Sequence, residues 1–299
     1  MRVLVTQDID PVGLALLAHH DVSVWSGPPI PRAQLLARVR GCDGLLAMPT
    51  DRIDGEVLDA GPVRVVANHA VGLDNVDLAA ARARGVIVTN TPGVLTDATA
   101  DLTLALLLAC ARHVLEGDRL VRAGAWDGWR PLQLRGLELR GATLVIVGMG
   151  RIGRAVAARA EAFGMRVVGV GRADDLDAAL AIADVVSVHC PLTPETRGLL
   201  GAARLARLRP GAIVLNTARG PIVDEEALAE ALHAGRLVAG IDVYAREPLV
   251  PDRLREAPGC VLLPHLGSAT VHARREMARK AATNLVAALA GEPPPDRVA

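Results

Sequence analysis

Three segments in the last third of the chain carry side chains whose types suit one reaction. Asn216-Thr217-Ala218-Arg219-Gly220 supplies a guanidinium, Asp242-Val243-Tyr244-Ala245-Arg246-Glu247-Pro248 a carboxylate, and Pro264-His265-Leu266-Gly267-Ser268-Ala269-Thr270 an imidazole. Each follows an apolar run that reads as a strand, and open α/β sheets place their ligands at the carboxyl ends of strands. Reduction of a 2-keto acid needs such a set. A planar bidentate cation must hold the carboxylate and carbonyl. An acid must protonate the carbonyl oxygen as hydride arrives, and a carboxylate beside that acid keeps it protonated near neutral pH.

A second motif accounts for the hydride. Thr143-Leu-Val-Ile-Val147 runs into Gly148-Met149-Gly150-Arg151-Ile152-Gly153, followed by a helical stretch to Phe163, a stop at Gly164 and another apolar strand. G-x-G-x-x-G alone also describes a glycine-rich turn without a ligand, but strand before and helix after are the setting of a dinucleotide site. The first glycine permits the turn, the second lets backbone approach a pyrophosphate, and the third lets helix and strand pack. The helix N-terminus then receives the anion. The next strand ends Val168-Gly169-Val170-Gly171-Arg172, with Gly where an acidic residue would bond the ribose 2′-hydroxyl of NAD and Arg directly after. That pattern favours NADP(H). Asp174 and Asp175 follow closely and leave NAD(H) as the alternative.

The elements that must position these groups alternate β and α. Val3–Val5, Val22–Trp25, Gly44–Ala47, Val63–Ala67 and Val86–Thr89 are predicted as strands. Val12–His19, Arg32–Arg40, Glu56–Ala60 and Val76–Arg84 between them are predicted as helices. No glycine-rich loop follows the first strand, where Thr6-Gln7-Asp8 stands, so this half holds something other than a nucleotide. After Thr91-Pro92-Gly93 one long helix is expected over about Asp97–Arg122. A second series begins at Thr143, with strands at Thr143–Val147, Arg166–Val170, Val185–His189, Ala212–Asn216, Ala239–Val243 and Val261–Leu263. The last helix, Val271–Leu289, has no strand after it and is expected to return to the first half. The fold class is α/β, with two doubly wound parallel-sheet domains and a cleft between them. The expected boundaries are 1–93 plus 270–299 for the substrate domain and 94–269 for the dinucleotide domain, with crossings near Pro92 and Pro264.

Composition narrows the partners. The 299 residues hold 33 Lys and Arg against 33 Asp and Glu, and only three Trp, one Tyr and one Phe. A neutral, aromatic-poor chain lacks the charge footprint and stacking platforms of a nucleic-acid binder, and membrane binding is not expected. The one Lys is Lys280, so a lysine Schiff base at any other position is excluded. Cys42, Cys110, Cys190 and Cys260 lie far apart, which argues against metal and disulfide frameworks and for a reducing, cytoplasmic setting. Cys190 has no paired base at a recognisable spacing, so a catalytic thiol is not expected.

Taken together, these motifs resemble the D-isomer-specific 2-hydroxyacid dehydrogenases from about Asp43 to Leu289. Asn68-His69-Ala70-Val71-Gly72-Leu73-Asp74-Asn75-Val76-Asp77 and Thr91-Pro92-Gly93-Val94-Leu95-Thr96-Asp97-Ala98-Thr99-Ala100-Asp101 are most similar to the glyoxylate/hydroxypyruvate reductase branch. The resemblance implies Arg219 as substrate clamp, His265 as general acid in reduction and base in oxidation, and Glu247 as its partner. It implies that the N–H groups of Val71 and Gly72 bind the substrate carboxylate. Thr96 and Asp242 would approach the nicotinamide carboxamide. Gly148, Gly150, Arg151, Ile152, Gly153, Arg172, Cys190, Pro191 and Thr196 would line the phosphate and adenosine side. Thr217, Ala218, His265 and Gly267 would line the nicotinamide side. Met48, Leu73 and Trp126–Pro131 are candidates for shaping the pocket. A small 2-keto acid, glyoxylate- or hydroxypyruvate-like, is the implied substrate, and a homodimer through the long apolar helix the implied assembly.

Other readings stay open at this point. Taken singly, His265 could be a capped loop histidine and Glu247 an exposed loop carboxylate. His69 is as readily structural as substrate-contacting. His189 reads as structural, and His19, His20, His113, His233 and His272 receive no role. A formate dehydrogenase would carry Gln in place of Glu247. A phosphite dehydrogenase is suggested by Gly128-Trp129-Arg130-Pro131. From another class, a nicotinamide-sensing corepressor would keep the same triad. The chain also departs from the family after Arg172, where Ala173-Asp174-Asp175 leads almost directly into the next helix and thins the adenine-side wall.

Overall fold

Runs of Val, Leu and Ile bounded by Gly, Asp or Pro form short parallel strands, and the stretches between them form the helices that cover both sheet faces. The computed structural model describes Met1–Ala299. Its chain divides into two units, Met1–Leu95 with Ala269–Ala299, and Thr96–Ser268.

The first unit runs β1 (Arg2–Val5), α1 (Pro11–Leu16), β2 (Asp21–Val24), α2 (Arg32–Arg38), β3 (Gly44–Ala47), α3 (Gly55–Asp59), β4 (Val65–Asn68), α4 (Leu78–Ala83) and β5 (Ile87–Thr89). The sheet order is β2-β1-β3-β4-β5, parallel throughout. Side-chain alternation splits the core in two. Leu4, Leu45, Ala47, Val66 and Val88 enter one cluster, and Val3, Val5, Leu46, Val65 and Ala67 the other.

The second unit runs α5 (Thr96–Ala111), α6 (Val114–Arg122), β6 (Thr143–Val147), α7 (Arg151–Ala162), β7 (Arg166–Val170), α8 (Leu176–Ile182), β8 (Val185–Val188), α9 (Ala202–Leu205), β9 (Ala212–Asn216), α10 (Glu225–His233), β10 (Leu237–Ile241), α11 (Asp252–Arg255) and β11 (Cys260–Leu262). Its sheet order is β11-β10-β9-β8-β6-β7, again all parallel. Strand order reverses at β6, so the loops after β6 and β8 flank the switch point where such sheets take their ligands. β7 is an edge strand. The link from Gly171 to Asp175 adds no further strand, and Asp175 caps α8 by accepting the Ala178 N–H at 3.0 Å. Last in the chain comes α12 (Val271–Leu289), which returns to the first unit and buries Ala281, Ala282, Leu285 and Leu289 in the cluster with Val3 and Val65.

One expectation needs correction. The single helix over about Asp97–Arg122 is two helices bent by 62°. His113 sits in the left-handed region at φ 50°, and the carbonyl of Ala111 accepts the Leu137 N–H at 2.9 Å, a bond from far along the chain. α5 is buried over half its length, whereas α6 buries no residue in the unit. The chain returns to the first unit between Ser268 and Ala269, one residue from the expected boundary and shortly after Pro264. The intervening loop is tied to the second unit because His265 N–H donates to the Asp242 carbonyl and the N–H groups of Leu266 and Gly267 donate to its carboxylate. No single helix is long and apolar enough to cross a membrane.

Candidate active site

The loop after β6 does what its glycines require. Gly148 has φ +101°, and a Cβ there would stand 2.6 Å from the Cys190 nitrogen; at Gly153 it would stand 2.1 Å from the Gly148 carbonyl oxygen. Only glycine fits either place. At Gly150 a Cβ would meet nothing within 4 Å. That open side lies over the N-terminus of the twelve-residue α7, where Gly150 is the N-cap and offers no side chain to the free N–H groups. The donor set fits a pyrophosphate: unobstructed backbone, unpaired helix-start amides and the positive end of the helix dipole. Arg151 is exposed and Ile152 half-buried at this start.

Around it the other expected cofactor residues fall at the ends of β7, β8 and β9. Gly171 and Arg172 follow β7, both exposed. The Asp174 carboxylate turns back to accept the Gly171 N–H at 2.7 Å. Cys190, Pro191 and Thr196 follow β8, where the Thr196 hydroxyl donates to the Pro191 carbonyl at 2.7 Å and accepts the Thr193 N–H at 2.8 Å. His189 pairs with Ser187 Oγ at 2.8 Å, and burial lowers its pKa to about 4. Thr217 and Ala218 follow β9, and the Thr217 hydroxyl lies 3.0 Å from that of Thr103 on α5. Thr96 is the first residue of α5.

The groups suited to proton transfer are assembled by two tight loops. Asn216 accepts the Ala218 N–H at 3.1 Å and donates to the Arg219 carbonyl at 2.9 Å, folding the loop after β9 around its own amide. Gly220 then approaches the next loop so closely that a Cβ would lie 1.9 Å from the Tyr244 carbonyl carbon. This contact brings Arg219 within electrostatic reach of Glu247. Glu247, before a cis Pro248, has both carboxylate oxygens engaged. Oε2 lies 2.7 Å from His265 Nδ1, and Oε1 accepts the Tyr244 N–H at 3.0 Å. Burial pushes the Glu247 carboxyl up, but the bond and charge of His265, the Tyr244 N–H and the Arg219 guanidinium together hold it below the ordinary glutamate range.

His265 itself occupies the left-handed region at φ +58°, uncommon for a residue with a Cβ. Asp242 enforces it. This fully buried carboxylate accepts Leu266 N–H at 2.6 Å and Gly267 N–H at 2.8 Å, and burial raises its pKa. Each Asp242 oxygen thus accepts one N–H of the histidine loop and keeps a second lone pair for a further donor. Gly267 is further tied to α5 through its carbonyl, which accepts the Thr99 hydroxyl at 3.0 Å.

In the first unit, Val71 and Gly72 lie half-buried on the loop after β4. Met48 is 9% exposed and packs in the core cluster with Leu46, Val65 and Leu285. His69 is 4% exposed with neither ring nitrogen hydrogen-bonded, and burial, aided by the charge of Arg274, lowers its pKa to about 4. Trp126 and Trp129 are exposed. Two residues without an expected role hold the loop after β4: Asn68 donates to the Gly72 carbonyl and Asn90 to the Val71 carbonyl, each at 2.8 Å. Asn68 opens the first family-like motif and Asn90 directly precedes the second, and that placement at strand ends was the available signal.

Comparison with known proteins agrees with this geometry. The family model described as the NAD binding domain of D-isomer specific 2-hydroxyacid dehydrogenases matches residues 104–267. The chain belongs to that family. The glyoxylate reductase of Thermococcus litoralis is 43% identical over 318 residues, covering 99% of this chain and 96% of the relative. That of Aeropyrum pernix is 45% identical, covering 99% and 95%. Among solved structures, a Thermus thermophilus protein superposes with a TM-score of 0.95 at 52% identity over the full length of both chains. The NADPH-dependent glyoxylate/hydroxypyruvate reductase of Sinorhizobium meliloti, in complex with NADP and malonate, gives 0.89 at 35% identity, covering 100% of this chain and 96% of that one. Membership makes the protein a nicotinamide-dependent oxidoreductase with a Rossmann-type dinucleotide domain.

Proposed function

We propose that this dehydrogenase reduces a small 2-keto acid, glyoxylate or hydroxypyruvate, to the D-2-hydroxy acid. The observation that carries the reading is the His265–Glu247 pair at 2.7 Å beside Arg219, on loops of a unit whose β6–α7 turn fits a pyrophosphate. The bound dinucleotide supplies the hydride. Arg219 binds the substrate carboxylate and carbonyl through its planar fork and orients the carbonyl. In the first unit, the N–H groups of Val71 and Gly72 are assigned to a substrate carboxylate. His265 Nε2 donates its proton to the carbonyl oxygen, and Glu247, fixed by Tyr244, holds the ring through Nδ1 and stabilises its charged form. Relatives named glyoxylate reductase support the substrate class.

The cofactor proposed is NADP(H). Arg172 is exposed at the end of β7, no acidic side chain stands at Gly171, and Asp174 is engaged by the Gly171 N–H. The assembly proposed is a homodimer, supported by apolar side chains gathered on α6 and the segment after it: Val121, Trp126, Trp129 and Leu132 are 54–81% exposed.

The test is consumption of reduced nicotinamide with glyoxylate and with hydroxypyruvate, in parallel for NADPH and NADH. Turnover with either acid is expected, faster with NADPH. Arg172→Asp should weaken NADPH by about tenfold or more, the scale of a lost charge-assisted bond, with little effect on NADH. No turnover of either acid while cofactor binding persists would remove the keto-acid reading. Equal effects on both cofactors would remove the role of Arg172.

A further inference from the structure

The loop after β4 is held by a row of carbonyl anchors. The Ala70 carbonyl accepts the Thr91 N–H at 2.9 Å, the Val71 carbonyl accepts Asn90 Nδ2 at 2.8 Å, and the Gly72 carbonyl accepts Asn68 Nδ2 at 2.8 Å. In a trans peptide the C=O and the following N–H share a plane and point in opposite directions. Each anchored carbonyl therefore directs the next N–H away from its anchor: Val71, Gly72 and Leu73 in turn. None of these three N–H groups finds a partner in the protein. Successive outward N–H groups form a concavity for an anion.

The anchors are themselves fixed. Asn68 is fully buried and forms a reciprocal amide pair with Asn75, Nδ2 to Oδ1 at 3.2 Å one way and 3.0 Å the other. Asn75 Nδ2 also reaches the carbonyls of Met48 at 3.0 Å and Asp51 at 3.1 Å, on the loop after β3. Because the pair uses donor and acceptor at both ends, the Asn68 amide can present only its nitrogen to Gly72. Asn90 is backed by Asn284 of α12, which is fully buried and donates to the Asn90 carbonyl at 3.3 Å.

We propose that Asn90 and Asn68 are positioning residues of the substrate-carboxylate cradle: they hold the Val71 and Gly72 carbonyls so that the loop N–H groups face the carboxylate, without touching substrate themselves. This rests on the reading that Val71 and Gly72 bind that carboxylate. Only a donor does the work of Asn90. An aspartate of the same shape sets oxygen against the Val71 carbonyl when ionised and donates again when protonated.

The experiment uses the full-length enzyme and oxamate, a non-reducible 2-keto-acid isostere. Backbone amide NMR first records which N–H signals oxamate moves in the unmodified protein. Shifts at Val71, Gly72 and Leu73 are expected, and their absence defeats the underlying reading rather than the proposal alone. Asn90→Ala and Asn90→Asp are then compared at neutral pH. The keto-acid KM and the oxamate Kd should rise together by about tenfold or more, with kcat within a few fold and NADPH affinity unchanged. As pH falls into the carboxyl range, Asn90→Asp should recover KM relative to Asn90→Ala. Asn90→Gln keeps the donor and provides a partial rescue. If the wild-type amides shift but a folded Asn90 variant binds oxamate as tightly as wild type, the positioning role is overturned. It is equally overturned if kcat falls as much as KM rises, or if Asn90→Asp shows no recovery at low pH.

Discussion

Glu247 Oε2 lies 2.7 Å from His265 Nδ1, and its other oxygen is fixed by the Tyr244 N–H at 3.0 Å. A carboxylate so held cannot rotate away, so it sets both the tautomer and the direction of the ring and leaves Nε2, in the proposed reaction, for the substrate carbonyl. His265→Ala should cost about 10²–10⁴ in kcat, the usual yield of general acid catalysis, and should remove the proton-donor limb of the pH–rate profile. Glu247→Gln should keep the geometry and lower kcat by a smaller factor. An unchanged pH profile in His265→Ala would move the proton donor elsewhere, with His69 the next candidate.

In the proposed reaction Arg219 acts on the other end of the substrate. Replacing it with Ala should lower kcat/KM for keto acids by about a hundredfold or more, the loss of a bidentate charge-assisted pair, while NADPH titrated by fluorescence binds as before. Arg219→Lys should recover only part of this, since an ammonium lacks the planar fork. Equal losses of keto-acid activity and cofactor affinity would show that the side chain serves the dinucleotide.

How far these groups could be read from the sequence depends on how local their causes are. Gly148, Gly150 and Gly153 announce their roles because turn, approach and packing each demand glycine at fixed spacing within one loop. Strands such as Thr143–Val147 and Ala212–Asn216 lie where the apolar run itself stops. The break at His113 was not legible, since its cause includes a bond from Leu137 to Ala111 across more than twenty residues. Asp242 stood out by its charge at a strand end, and only the folded chain shows that its oxygens also hold the Leu266 and Gly267 N–H groups.

His69 ties stability to pH. Burial lowers its pKa from 6.5 to about 4, so protonation favours the unfolded chain. The stability it allows is complete above pH 6.5 and is lost as pH falls from there to about 4, below which the penalty is constant. The shift corresponds to roughly 3 kcal/mol at most. Thermal melts from about pH 7 down to about pH 4 should therefore fall less steeply for His69→Gln than for the wild type. Parallel curves would mean that the ring is hydrated and titrates normally.

Gly150 and Gly153 separate binding from folding within one loop. A Cβ at Gly153 would stand 2.1 Å from the Gly148 carbonyl oxygen, which backbone cannot yield, so Gly153→Ala should cost about 1–3 kcal/mol or more and lower the melting temperature of the free protein. Gly150 has φ −73° and ψ −163°, which alanine adopts freely, and its Cβ would meet no atom within 4 Å. Gly150→Ala should therefore melt within a degree or two of wild type, apart from the small cost of a poorer N-cap. Its methyl group would occupy the side from which the pyrophosphate approaches, so NADPH affinity should fall by about tenfold or more, the scale of a lost hydrogen bond to a charged group. Tight NADPH binding by Gly150→Ala would place the diphosphate away from the α7 start and overturn the assignment of that helix as the anion site.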